Sequence, residues 1–148
     1  MDVVVERVAG LDISKADVKA CVRLPSPAGG GQRYREETRT FSAMTRHLQR
    51  LADWLSECRV HLVVMEATGE YWKPVFYLLE QRFEVWLVNA GDVKKVPGRK
   101  TDVKDAQWLA RLAQHGLVSP SFVPPPAIRR LRDLTRQRAN LGRSGRGR

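Results

Sequence analysis

Apolar residues fall at alternate positions early in the chain and at steps of three and four later, and this change of period separates strands from helices. Residues 3–13 are rich in valine and end in Gly10-Leu11-Asp12-Ile13, which predicts a mostly buried first strand with an acid near its carboxyl end. Ser14-Lys15-Ala16-Asp17 reads as a polar turn, and Val18, Ala20, Val22 and Leu24 then alternate with Lys19, Cys21 and Arg23 as a second strand closing a hairpin. Pro25-Ser26-Pro27-Ala28-Gly29-Gly30-Gly31 suits only a loop, and residues 33–41 predict a polar third strand at a sheet edge. Ser42 is the expected N-cap of a helix whose apolar positions are Met44, Leu48, Leu51, Trp54 and Leu55.

The same alternation of elements continues. His61-Leu62-Val63-Val64-Met65-Glu66 is a short apolar strand that again ends in an acid. A helix is expected over residues 70–82, with Trp72, Val75, Phe76 and Leu79 inward and Pro74 tolerated in its first turn. Residues 84–88 predict another strand and residues 89–96 a short helix or turn. Pro97-Gly98 follows, and Thr101 or Asp102 is expected to cap a helix that runs to His115-Gly116. The order βββαβαβα implies an α/β fold, a mixed sheet covered by helices on both faces. Residues 1–118 form this domain. Residues 119–126, with Pro120 and Pro124-Pro125-Pro126, read as an extended linker, and Ile128, Leu131, Leu134 and Leu141 allow one more helix before a Gly/Arg tail.

Charge adds a partner. The 148 residues carry 26 Lys and Arg against 16 Asp and Glu, a net +10, which points to a polyanion, either nucleic acid or an acidic membrane surface. Residues 127–148 hold eight of the arginines and one acid, Asp133. Cys21 and Cys58 have no metal-ligand spacing and read as buried free thiols of a reducing compartment, with the cytoplasm expected. No apolar run is long enough for a membrane span, and residues 1–6 lack a signal-peptide layout.

The acids carry the candidate chemistry. In an open α/β sheet functional side chains gather at the carboxyl ends of strands, where Asp12 and Glu66 are expected. Asp102 and Asp105, three residues apart near a helix start, would share one helical face and could join them across the crevice. Four clustered carboxylates repel one another unless a cation offsets them, and oxygen donors without Cys or His suit Mg²⁺. Two such ions, about 3.5–4 Å apart, would serve phosphodiester cleavage. Lys15, Arg99, Lys100 and Lys104 would then hold a DNA or RNA backbone. Taken singly, each acid has an ordinary reading: Asp102 and Asp105 as first-turn helix acids, Asp12 as turn chemistry, Glu66 as a salt-bridge partner. Tyr71 and Trp72 read as core residues, and His61 and His115 as structural ones.

In order, Gly10-Leu11-Asp12-Ile13-Ser14-Lys15, Met65-Glu66-Ala67-Thr68-Gly69-Glu70-Tyr71-Trp72, Val88-Asn89 and Lys100-Thr101-Asp102-Val103-Lys104-Asp105-Ala106 resemble the DEDD transposases of the IS-one-ten insertion-sequence family, related to Piv-type DNA invertases. The resemblance spans about residues 8–141. It implies a ribonuclease H-like (RuvC-like) fold, with Asp12, Glu66, Asp102 and Asp105 as catalytic, metal-binding acids holding two Mg²⁺ ions, or Mn²⁺. It implies DNA recombination directed by a structured guide RNA, in a homo-oligomer of the full-length protein. The basic charge of the tail places Arg129, Arg130, Arg132 and Arg136 as further expected contacts to the nucleic acid.

In that family a helical segment and a serine-bearing domain follow the acids. Here residues 142–148 read Gly-Arg-Ser-Gly-Arg-Gly-Arg, so the chain reads as a shortened, RuvC-like half in which Ser144 is no nucleophile and complete transposition is not expected. Three other readings stand beside this one: a non-catalytic nucleic-acid-binding remnant, a RuvC-like structure-specific nuclease, and an actin-like sugar kinase or ATPase. The last wants a Gly- and Thr-rich phosphate loop that the first turn does not supply.

Overall fold

The computed structural model describes residues 3–26, 33–67, 69–100, 102–121 and 123. Five strands form one mixed sheet: β1 (Val8–Ile13), β2 (Asp17–Pro25), β3 (Tyr34–Ser42), β4 (Leu62–Glu66) and β5 (Glu84–Val88), in the spatial order β3-β2-β1-β4-β5. The first three strands are an antiparallel meander, and β4 and β5 run parallel to β1. Between and after them come α1 (Thr45–Glu57), α2 (Trp72–Leu79), α3 (Ala90–Lys95) and α4 (Asp105–Gln114). The expected order of elements is therefore present, with the short helix of residues 89–96 realised as α3. Polar β3 is an edge strand, as its composition suggests.

Side-chain alternation makes two cores. Ala9 and Leu11 of β1, Val18, Ala20 and Val22 of β2, and Val63 and Met65 of β4 point to the face covered by α1 and α2, through Leu48, Leu51, Leu55, Val75, Phe76 and Leu79. Val8 of β1, Cys21 of β2, and Leu62 and Val64 of β4 point to the other face, covered by Val93 of α3 and by Ala106, Leu109, Leu112 and Ala113 of α4. Strands buried on both faces read as near-continuous apolar runs, which is what the β4 sequence shows.

Several element boundaries differ from expectation, each for a physical reason. Residues 3–7 do not extend β1, because the backbone N–H groups of Val4 and Val5 are drawn to the Gln114 carbonyl at the far end of α4. β3 runs through Ser42, so α1 can begin only after a bend. Its N-cap is Met44, and Ser42 Oγ merely accepts a 3.4 Å hydrogen bond from the Met44 N–H. α2 starts at Trp72 rather than at residue 70, following a turn with Gly69 at φ +60°, and ends at Leu79, whose carbonyl accepts from both Arg82 and Phe83 as the chain turns into β5. Trp72 packs edge-on against Phe76 and Tyr77, whereas Tyr71, expected in the core, is 50% exposed.

The far end of α4 is tied down by a polar cluster. Arg111 grips Glu36 of β3 with two hydrogen bonds of 2.9 and 2.8 Å. Arg23 of β2 donates to the same carboxylate at 3.0 Å and to Oε1 of fully buried Gln114 at 2.6 Å. Cys21 and Cys58 are free thiols, the first buried and the second half-buried. No helix among the described residues is long and apolar enough to cross a membrane. Of the linker expected over residues 119–126, residues 119–121 and 123 are described: the Ser121 N–H bonds the Leu87 carbonyl, and Val123 packs against the core under α1 and α2. The rest of it and the basic helix expected over residues 127–148 lie outside the described residues.

Candidate active site

Two acids leave the sheet side by side. Leu11 and Met65 are the last paired positions of parallel β1 and β4, so Asp12 and Glu66 follow at one level on adjacent strands. Counting by twos from Val8 and from Leu62 and Val64 sends both acids to the face that α4 covers. Asp105, the first residue of α4, brings the third carboxylate. Burial, and next the Asp105 charge, push the Asp12 carboxyl above its ordinary range, while Lys19 and Arg99 pull it back. Burial, then Asp105, then Asp12 push Glu66 up in the same way, against Lys94 and Arg99. The three acids thus share one electrostatic neighbourhood, in which the nearby cations do not offset the burial and like charge felt by Asp12 and Glu66.

Asp102 lies before the helix that carries Asp105. α4 begins at Asp105 rather than at residue 101 or 102, so the expected i, i+3 pairing of Asp102 with Asp105 on one helical face does not form. Val103 explains the difference. It is only 8% exposed, and its N–H bonds the Lys100 carbonyl, which tucks Val103 in before the helix can start. Gln107 then accepts from the Lys104 N–H at 3.2 Å, satisfying a backbone donor at the helix start. Exposed Asp102 acts instead on Arg111, whose guanidinium it helps keep charged after the larger contribution of Glu36.

Of the basic residues singled out in the sequence, Lys15, Lys100 and Lys104 are exposed around these acids' loops. Arg99 folds back across the turn: one guanidinium nitrogen donates to the Val103 carbonyl at 2.9 Å and to Asp105 Oδ1 at 2.6 Å. Arg129, Arg130, Arg132 and Arg136 lie outside the described residues. Two cations escaped the sequence reading. Lys19 is the cross-strand partner of Asp12, and Lys94 on α3 acts on Glu66. Lys19 was within reach, since a hairpin turning at residues 14–17 pairs position 12 with position 19; Lys94 needed the packing of α3.

A comparison with known proteins completes the picture. The family described as Transposase, the IS110-type DEDD transposases, matches residues 9–144. This chain belongs to that family. No curated protein matches it. The transposase chain is similar in fold to Thermus thermophilus RuvC, at 14% identity and a TM-score of 0.53, covering 78% of this chain and 99% of RuvC. A second structure, T. thermophilus RuvC in complex with Holliday junction substrate, gives a TM-score of 0.51 at the same identity and coverage. A fowlpox virus resolvase with Holliday junction DNA gives 0.44, at 11% identity over 64% of this chain and 65% of the resolvase. The fold is thus the RuvC-like form of the ribonuclease H fold, here in a chain of the transposase family.

The acids can be tested for a divalent ion on their own chemistry. The donors are carboxylate oxygens without Cys or His, two of them hold their protons more tightly because burial and like charge are incompletely offset, and this suits a hard cation such as Mg²⁺. The spacing is looser than the chemistry. Among the described residues no three His, Cys, Asp or Glu side chains stand close enough to grip one ion.

Proposed function

We propose that this chain is the catalytic domain of a DNA transposase that cleaves and joins phosphodiester bonds with two Mg²⁺ ions, held by Asp12, Glu66 and Asp105 with Asp102. The observation that supports this reading is that Asp12, Glu66 and Asp105 lie within electrostatic reach of one another at the carboxyl edge of a RuvC-like sheet. When bound, the ions supply Lewis-acid activation of the attacking oxygen and neutralise charge on the leaving one. The chain's own part is to present oxygen ligands from two rigid strand ends and a helix start, a form of preorganisation. Lys15, Lys19, Lys94, Lys100 and Lys104 draw the nucleic-acid backbone toward the acids, and Arg129, Arg130, Arg132 and Arg136 extend the contact. A structured guide RNA and a homo-oligomer of the longer protein belong to the same proposal.

A Mn²⁺ titration tests it. The wild-type chain is expected to bind Mn²⁺, and Asp12→Ala and Asp105→Ala to weaken binding by about tenfold or more. Unchanged binding in both variants removes the metal site. Nicking of supercoiled DNA in Mg²⁺ should fail in Glu66→Gln.

One observation favours a second reading, in which the domain binds nucleic acid without cutting it: the acids do not close into a ligand set as they stand. DNA affinity that survives loss of all four acids, with a salt slope that falls on deletion of residues 127–148, would select it; each phosphate contact contributes about −0.9 to that slope.

A further inference from the structure

We infer that Gly10 is a positioning residue for the acidic site: by lacking a side chain it lets α4 sit low enough on β1 to bring Asp105 to Asp12. The inference rests on the proposed role of those acids, but its structural half stands on backbone distances. Gly10 lies two residues before Asp12 on β1, hence on the same face, beneath the first turns of α4. A Cβ built on Gly10 would lie 2.3 Å from the Ala106 carbonyl oxygen, 2.6 Å from the Ala110 backbone nitrogen and 3.0 Å from the Leu109 Cβ. Two of these three are helix backbone, which no rotamer change can move aside.

An alanine at position 10 would have to lift the helix from 2.3 Å toward the 3.4 Å at which ordinary contact begins, about 1 Å at the first turn. Asp105 precedes Ala106 directly, so it rises with that turn. Two other anchors keep the helix from simply tilting back: its far end is fixed to β3 by Arg111 and Glu36, and to the N-terminal segment through the Gln114 carbonyl. The lift therefore falls on the end that carries Asp105. Gly10 has no positive φ, so the need here is space and not backbone conformation.

Three variants of the full chain test this with Mn²⁺ affinity, thermal unfolding and amide hydrogen exchange in metal-free buffer. Gly10→Ala is expected to weaken Mn²⁺ binding about tenfold and to speed exchange in the first turns of α4. Ala106→Val adds bulk to a buried position in the same first turn and should act in the same direction. Leu112→Ala, buried under the far half of α4, should lower the unfolding temperature while leaving Mn²⁺ affinity and first-turn exchange as in the wild type. Wild-type Mn²⁺ affinity in folded Gly10→Ala overturns the inference, as does an equal loss in Leu112→Ala. If Gly10→Ala does not fold, wild-type affinity in Ala106→Val overturns it. If no variant and not the wild type binds Mn²⁺, the metal reading fails, and exchange alone decides whether Gly10 seats the helix.

Discussion

The Arg99 guanidinium lies 2.6 Å from Asp105 Oδ1, so the helix-start acid already has a cationic partner supplied by its own chain. That partner is half-exposed, and its second bond, to the Val103 carbonyl, pins the turn that keeps Asp102 out of the helix. Arg99 therefore occupies one of the two carboxylate oxygens that Asp105 could offer a divalent ion.

Arg99→Gln should free that oxygen. A half-exposed pair of this kind is worth about 0.2–1 kcal/mol, so Mn²⁺ affinity is expected to rise by up to about fivefold. Isothermal titration of both proteins reads the difference. Equal or weaker binding in Arg99→Gln shows that the arginine is not in competition with metal.

Asp12→Asn should stabilise the metal-free fold at neutral pH. Burial and the Asp105 charge raise the folded Asp12 carboxyl above 3.8, so its contribution to stability is fully present below pH 3.8 and is lost as pH rises through the raised value. Asparagine removes that loss, for a gain of about 0.5 kcal/mol at pH 7, kept small by solvent screening of a half-buried group, that shrinks toward pH 3. Urea unfolding in chelator across this range measures it; a variant less stable than wild type at pH 7 contradicts the electrostatic account.

Glu36 should behave in the opposite sense. Burial pushes its carboxyl up, but the hydrogen bonds of Arg111 and Arg23 outweigh burial and hold it below 4.5. Its contribution is present above pH 4.5 and is lost as pH falls through the lowered value. Glu36→Ala leaves two partly buried guanidinium groups without that partner and is expected to cost about 3 kcal/mol at pH 7, with the difference narrowing in acid. Thermal unfolding at pH 7 and pH 3 would show it.

Thiol chemistry should separate the two cysteines. Burial pushes the Cys21 thiol up to about 11; burial raises the Cys58 thiol as well, but that residue is only half-buried and remains open to solvent. A disulfide reagent at pH 8 should label Cys58 in the native protein and reach Cys21 only on unfolding, as mass spectrometry can follow. Native labelling of Cys21 at a comparable rate would mean that the α4 face opens.

Strand identity, helix identity and their order follow from local periodicity, and so do Asp12 and Glu66, because a strand-end position is a property of a few consecutive residues. The sequence by itself also determined the family, through motifs that keep their order along the chain. Only the tertiary structure decided where α4 begins and how deeply it sits. Its start depends on burying Val103, and its depth on a glycine about a hundred residues earlier. Its far end depends on Arg23, Glu36 and Gln114, drawn from β2, β3 and α4 itself. Those are long-range contacts, and no local pattern encodes them. Helical spacing alone therefore placed Asp102 beside Asp105, whereas packing put Asp105 beside Asp12 and left Asp102 on the turn.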